Sequence, residues 1–140
     1  MPLPKSVTVA GKVIDEVQNV NISISTPSGP RGDYEGRTNS AIVQLMRRAR
    51  NTPTMELFKA STNEDGRLNI ITGEIVLQNS ELQETYTFTM DECYISEWLF
   101  TQPEEDDMLY ETVTLRVGKM KLSGGGGSKE FKVPEFNKHA

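Results

Sequence analysis

A serine or cysteine nucleophile needs a base held rigidly beside it, most often histidine. This 140-residue chain has one histidine, His139, next to the C-terminus and beyond a run of glycines, which makes it a poor base. Its one cysteine, Cys93, falls in a strand-like stretch and reads as an inert buried thiol; a single cysteine also excludes an intramolecular disulfide. No Cys/His cluster has metal-ligand spacing, and no Gly-rich loop follows a strand and opens a helix to cradle a phosphate. Asp91 and Glu92 are the residue types of a general acid/base pair, but neighbours on a strand point to opposite faces and do not share a site. The acidic run Glu104, Glu105, Asp106 and Asp107 has the oxygen ligands calcium takes, without the alternate spacing or turn glycine of an EF-hand. Arg47, Arg48 and Arg50 are the types that contact phosphate, but no aromatic residues are interleaved with them and the net charge is −5. The expectation is therefore a protein that is not an enzyme, holds no metal or cofactor, and binds neither nucleic acid nor an anionic membrane. The two charged clusters are candidates for contacts between copies of the chain.

The elements that must position these residues are strands. From Glu84 to Thr101, Tyr86, Phe88 and Met90 alternate with threonines; from Leu109 to Leu122, Val113, Leu115 and Val117 alternate with Thr112, Thr114 and Arg116. Period-2 alternation of β-branched and aromatic residues marks strands with one face on a core, so the two segments form a hairpin around the loop Gln102–Met108. Beyond Gly118 the apolar parity moves from odd to even positions, to Met120 and Leu122, which predicts a β-bulge at Gly118–Lys119. Only 36% of residues are hydrophobic and the mean hydropathy is −0.48. So thin a core suits a small antiparallel β-barrel, or a protomer that completes its burial by assembling. No apolar run is long enough for a transmembrane helix, and the first residues lack the apolar region of a secretory signal peptide.

Charge is unevenly spread. Residues 1–70 carry nine Lys/Arg against seven Asp/Glu, residues 71–140 six against thirteen, so identical copies associating head to tail bring unlike charges together. Ser6–Ala10 and Lys12–Val17 pair around Gly11, and Val20, Ile22 and Ile24 continue as a strand. The stretch Thr26–Asn39 is long for a connection and is functional or mobile by that measure; its Arg31-Gly32-Asp33 reads as an ordinary turn. In Ser40–Arg50, Ala41, Val43 and Leu45 favour a strand, while Ile42 and Met46 leave a helix open. Thr52 as N-cap and Pro53 at the first helical position start a short helix to about Thr62, with Met55 and Phe58 facing inward and Leu57 beside them. Leu68–Gln78 returns to strand, with an irregularity at Gly73. The domain is expected to span residues 1–122, and residues 123–140 to be a glycine-rich linker, Ser123–Ser128, and a tail in which Phe131, Val133 and Phe136 are anchors of an extended peptide. That tail is either a mobile end or a segment docking on its own barrel or on a neighbouring copy.

The order of elements carries a resemblance. A strand running into ARNTPTMELFKASTNEDGR, then IITGEIVL, TYTFTMDECYISEWLF, an acidic loop and LYETVTLRVGKMKL together resemble the Hcp family, the tube protein of the bacterial type VI secretion system, over residues 6–122. The resemblance implies an antiparallel β-barrel with one flanking helix. It also implies homohexameric rings stacked into a tube, a contractile sheath, spike and baseplate as partners, effector proteins in the lumen, and passage from the bacterial cytoplasm by the type VI machinery. The competing expectation is a monomeric β-sandwich that binds a protein through Trp98 and Phe100 or the loop Thr26–Asn39.

Overall fold

The computed structural model describes residues 5–25, 40–49, 51–62, 69–79, 81, 84–105 and 107–132. Among these residues eight strands and one helix follow one another: β1 Lys5–Val9, β2 Lys12–Ile14, β3 Val17–Ser25, β4 Ser40–Arg48, α1 Asn51–Ser61, β5 Ile71–Asn79, β6 Glu84–Thr101, β7 Tyr110–Gly124 and β8 Gly127–Lys132. All pairings are antiparallel, in the order β2-β1-β5-β6-β7-β4-β3, with β8 added to β7. The fold is mainly β, as expected, and the open choice between strand and helix after Asn39 resolves to a strand over Ser40–Arg48. Among the described residues no helix is long and apolar enough to cross a membrane.

The two ends of the strand order, β2 and β3, are neighbours in sequence, joined by Asp15 and Glu16 alone. Laid flat, seven strands would set them about 29 Å apart at the usual strand spacing, whereas a link this short reaches about 10 Å. The sheet must therefore curl until its edges nearly meet. No ladder joins β2 to β3, so the sheet is not closed: in place of the expected barrel it is a curled open sheet whose end strands are held near one another by the covalent link alone. Inside the curl lie Val7, Val9, Val43, Leu45, Ile75, Met90, Ile95, Val113, Leu115 and Met120.

Bulges supply the curvature. Met90 pairs with Met120, Glu92 with Lys119 and Cys93 with Val117, so Asp91 is extra on β6 and Gly118 extra on β7. A further shift between Ile95 and Glu97 leaves Ser96 extra on β6. The core-facing parity of β6 follows: Met90, then Cys93 and Ile95, then Trp98. The expected bulge at Gly118 is present, and the irregularity at Gly73 appears as a register shift between Ile71 and Gly73.

Helix α1 ends where side chains take up its last carbonyls: Ser61 Oγ donates to Phe58 O, Thr62 Oγ1 to Lys59 O and Asn69 Nδ2 to Ala60 O. Its inward residue is Leu57, which is fully buried; Met55 and Phe58, expected to face inward, are exposed. Pro53 and Leu57, four residues apart, share the helix face that turns from solvent, which moves the inward stripe one position off the Met55–Phe58 pair. Phe58 instead sets its ring edge-on to Trp98 at 5.1 Å, a contact worth about 0.5–1.5 kcal/mol beyond burial.

The glycine run, expected as a linker, is a hairpin turn. Strand β7 continues to Gly124, Gly125 and Gly126 turn at φ 60 and 89, and β8 returns along β7 with Ser123 opposite Ser128 and Lys119 opposite Lys132. Positive φ at both turn residues matches the twist of the flanking strands, and glycine adopts it without strain. Gly124, at φ 138, lies so close to β6 that a Cβ there would sit 2.4 Å from Thr85 O and 3.1 Å from Tyr86. Replacing Gly124 by alanine is expected to cost about 1–3 kcal/mol from backbone strain alone, with the clash adding to it. Thermal unfolding together with amide exchange of β8 measures the effect, and β8 amides are expected to lose protection first.

Candidate functional site: two sheet edges and a buried ionic cluster

Strand β4 meets β7 in register, Ala41 opposite Val117 and Leu45 opposite Val113, with β3 on the far side of β4 and β6 on the far side of β7. These four strands form a module with a side not covered by another described strand at each end. Among the described residues β3 pairs only with β4. Among the described residues no strand pairs with the β5 side of β6 beyond Cys93, so residues 95–101 are a second strand edge, flanked by α1 through Phe58 on Trp98, with Leu99 and Phe100 50% and 41% exposed. Edge strands are normally kept from pairing by charges, prolines or shortness. Strand β2 has three residues and β8 carries Lys129, Glu130 and Lys132, whereas β3, VQNVNISIS, has neither charge nor proline. On the solvent face of β3, β4 and β7, Asn19, Asn21, Gln44, Met46 and Thr112 line an open groove of about 240 Å³.

Behind this module lies a polar cluster. Arg47 is 1% and Glu111 0% exposed, and the two sit opposite one another on β4 and β7. Arg47 Nη1 donates to Glu111 Oε1 at 2.7 Å and to Thr54 Oγ1 of α1 at 2.8 Å. Its Nη2 donates to Asp15 Oδ1 at 2.7 Å and its Nε to Asp15 O at 2.9 Å. Trp98 Nε1 donates to the other Glu111 oxygen, so one carboxylate accepts from both a guanidinium and an indole.

The placement of the expected contact residues changes their roles. Arg47, expected to contact a second copy, is sealed within its own protomer, because it shares the core-facing parity of Ala41, Val43 and Leu45. Arg48 is half-buried; its N–H donates to Glu16 O at 3.2 Å, and its buried Nε has no hydrogen-bond partner among the described residues. Glu104, Glu105 and Asp107 are exposed in the β6–β7 loop, whose Asp107 O accepts from Gln102 Nε2. Arg48 lies opposite Tyr110 and Ala49 N–H donates to Leu109 O, so arginines and acidic loop share one end of the sheet and do not face each other from opposite ends. Arg50, Asp106, Val133 and Phe136 lie outside the described residues; Phe131 is in β8, opposite Met120. Glu111 was missed by the sequence reading, yet it occupies the same odd-numbered parity as Val113, Leu115 and Val117.

Little here supports chemistry. Among the described residues no group of three or more His, Cys, Asp or Glu side chains is placed to hold a metal. Burial pushes the Cys93 thiol up to about 12, and its Sγ donates to Ile71 O at 3.3 Å. The Tyr86 phenol is raised by its hydrogen bond to Glu84.

A curled, bulged antiparallel sheet with one flanking helix defines a class before any relative is compared. No family model matches the sequence, and no curated protein does. Among solved structures, Hcp1 from Flavobacterium johnsoniae is similar at a TM-score of 0.66 and 22% identity, over 91% of this chain and 98% of that one. Hcp1 from E. coli EAEC 042 is similar at 0.70 and 13% identity, over 94% and 99%. The PVC sheath/tube terminator of an extracellular contractile injection system is similar at 0.58 and 16% identity, over 88% and 97%. The fold is thus the one shared by Hcp proteins, as the sequence resemblance implied.

Two measurements test the site as described. Glu111→Ala strands a buried guanidinium and is expected to cost about 3–5 kcal/mol in urea unfolding, whereas the double replacement Arg47→Met with Glu111→Leu is expected to recover most of that loss. Cys93 is expected to resist thiol reagents in the native protein at neutral pH and to react fully in denaturant. Since its folded value lies above the ordinary 9.0, the stability it contributes is intact below about 9 and falls as pH rises toward about 12.

Proposed function

We propose that this chain is a structural tube protomer of a contractile injection system of the type VI kind, assembling with its own copies through the uncovered edges of the β6–β7–β4–β3 module. The observation that carries the reading is β3, nine residues long with neither charge nor proline, its one irregularity confined to the start of the strand between Val17 and Asn19. A strand presented by one copy at β3 and accepted by the next copy at residues 95–101 makes a heterologous contact, which closes into a ring when the rotation between copies allows. The Hcp fold supports rings of six that stack into a tube, and the similarity to a sheath/tube terminator supports a sheath and baseplate as neighbours. Effector proteins carried in the lumen, a spike as partner, and export from the bacterial cytoplasm by the type VI machinery complete the proposal. The chemistry required is polymerisation and needs no cofactor. Residual roles for Arg48, Glu104, Glu105 and Asp107 are contacts between adjoining copies at the end of the sheet they share.

The exposure of Leu99 and Phe100 favours a second reading, a single-copy module that binds another protein through Trp98 and Phe100. Sedimentation and negative-stain imaging of the purified chain separate the two. Annular particles with an open centre are expected, and Ser23→Lys, which places a charge on β3, is expected to return the protein to single copies with its circular dichroism unchanged. A solitary folded particle at all concentrations sinks the tube reading.

A further inference from the structure

We propose that the Arg47–Glu111 cluster is the positioning device of the assembly surfaces: it holds both uncovered edges of the four-stranded module in one geometry, so that a copy docking on one edge meets a molecule whose other edge is already set. This rests on the assembly reading and adds to it the residues that fix the edges.

On the β3 side, the Asp15–Glu16 link is fastened to the end of β4 at three points. Arg47 donates to Asp15 O at 2.9 Å and to Asp15 Oδ1 at 2.7 Å, and Arg48 N–H donates to Glu16 O at 3.2 Å. Glu16 is held at φ 58, a left-handed conformation disfavoured for a residue with a Cβ. Strand β3 starts at Val17, directly after this fastening, and its register shift against β4 falls between Val17 and Asn19. On the β6 side, Glu111 accepts from Trp98 Nε1, and Trp98 is the centre of the uncovered half of β6, its ring 5.4 Å from that of Phe100.

Between the two edges stands one planar guanidinium. Its donors diverge at fixed angles, so Nη2 and Nε cannot follow a movement of Asp15 without turning Nη1 away from Glu111 and Thr54. Arg47 and Glu111 are sealed from solvent, so neither exchanges the other for water without opening the core. A displacement at Asp15 is therefore passed to Trp98 through two rigid groups.

Asp15→Ala is the direct test, because that side chain is 49% exposed and its loss buries no new charge. In the single-copy state its circular dichroism is expected to match the native chain. Amide exchange is expected to rise about tenfold in β3 and also in residues 95–101, with β1 and β5 unchanged. The concentration at half-assembly is expected to rise about tenfold as well. Exchange that changes only near Asp15, a uniform change across every strand, or assembly at the native concentration overturns the proposal. If Asp15→Ala does not fold, Trp98→Phe reads the same relay from the other end, removing the indole donor and keeping an aromatic ring against Phe58 and Phe100; faster exchange in β3 is expected, and an unchanged β3 overturns the proposal. Should the native chain itself never assemble, the tube reading falls, while transmission of exchange from Asp15 to residues 95–101 still decides whether the cluster positions the edges.

Discussion

A charged pair taken out of water tolerates few geometries, and the Arg47–Glu111 pair is the constraint on which the rest of this fold turns. Against an apolar pair of the same shape such a bridge adds little net stability, but it penalises any arrangement that leaves one charge unmet. Here the arrangement it selects joins five elements at once: β4 through Arg47, β7 through Glu111, the edge-to-edge link through Asp15, the helix through Thr54 and β6 through Trp98. Strand register at this end of the sheet, helix placement and the anchoring of the β2–β3 link thus meet in one set of hydrogen bonds. Apolar packing, which is non-directional, does not by itself choose among the registers that bury the same residues.

The sheet is bent by insertion and held by its own chain. Extra residues at Asp91, Ser96 and Gly118 turn the long β6–β7 ladder, and the two-residue link between β2 and β3 keeps the outer strands together. On one side of β7, β4 covers residues 110–117 and β8 covers 119–124, so two distant segments lie end to end along the same strand, meeting at the Gly118 bulge. This leaves β7 paired on both sides for nearly its whole length, whereas β6 is paired on both sides only over its first half.

Much of this was legible in the chain. Alternation placed β6 and β7 almost to the residue, and the parity change after Val117 located the Gly118 bulge. The same alternation, carried one step further toward the C-terminal end of β4 and the N-terminal end of β7, puts Arg47 and Glu111 on the core face; Arg47 reads as a surface contact from sequence because ionised groups are so seldom buried. Composition misled at the glycine run, since four glycines in a row satisfy the dihedrals of a tight turn as readily as the flexibility of a linker, and only the proximity of Thr85 and Tyr86 distinguishes the two. The inward face of α1 was off by one position because a helix of three turns offers too few apolar residues to fix its rotation. The uncovered half of β6 is a property of the whole pairing pattern, invisible in any local stretch.

The strand order also bears on how the molecule comes into being. Residues 5–25 leave the ribosome before the strands they pair with across the sheet: β1 waits for β5, some sixty residues downstream, and β3 waits for β4. Pairings this remote in sequence close slowly, and until they close an uncharged strand with an exposed backbone is available to other nascent chains. The order of synthesis thus runs against the order of the sheet, and the feature that equips the finished protomer to join its copies makes its infancy the hazardous stage.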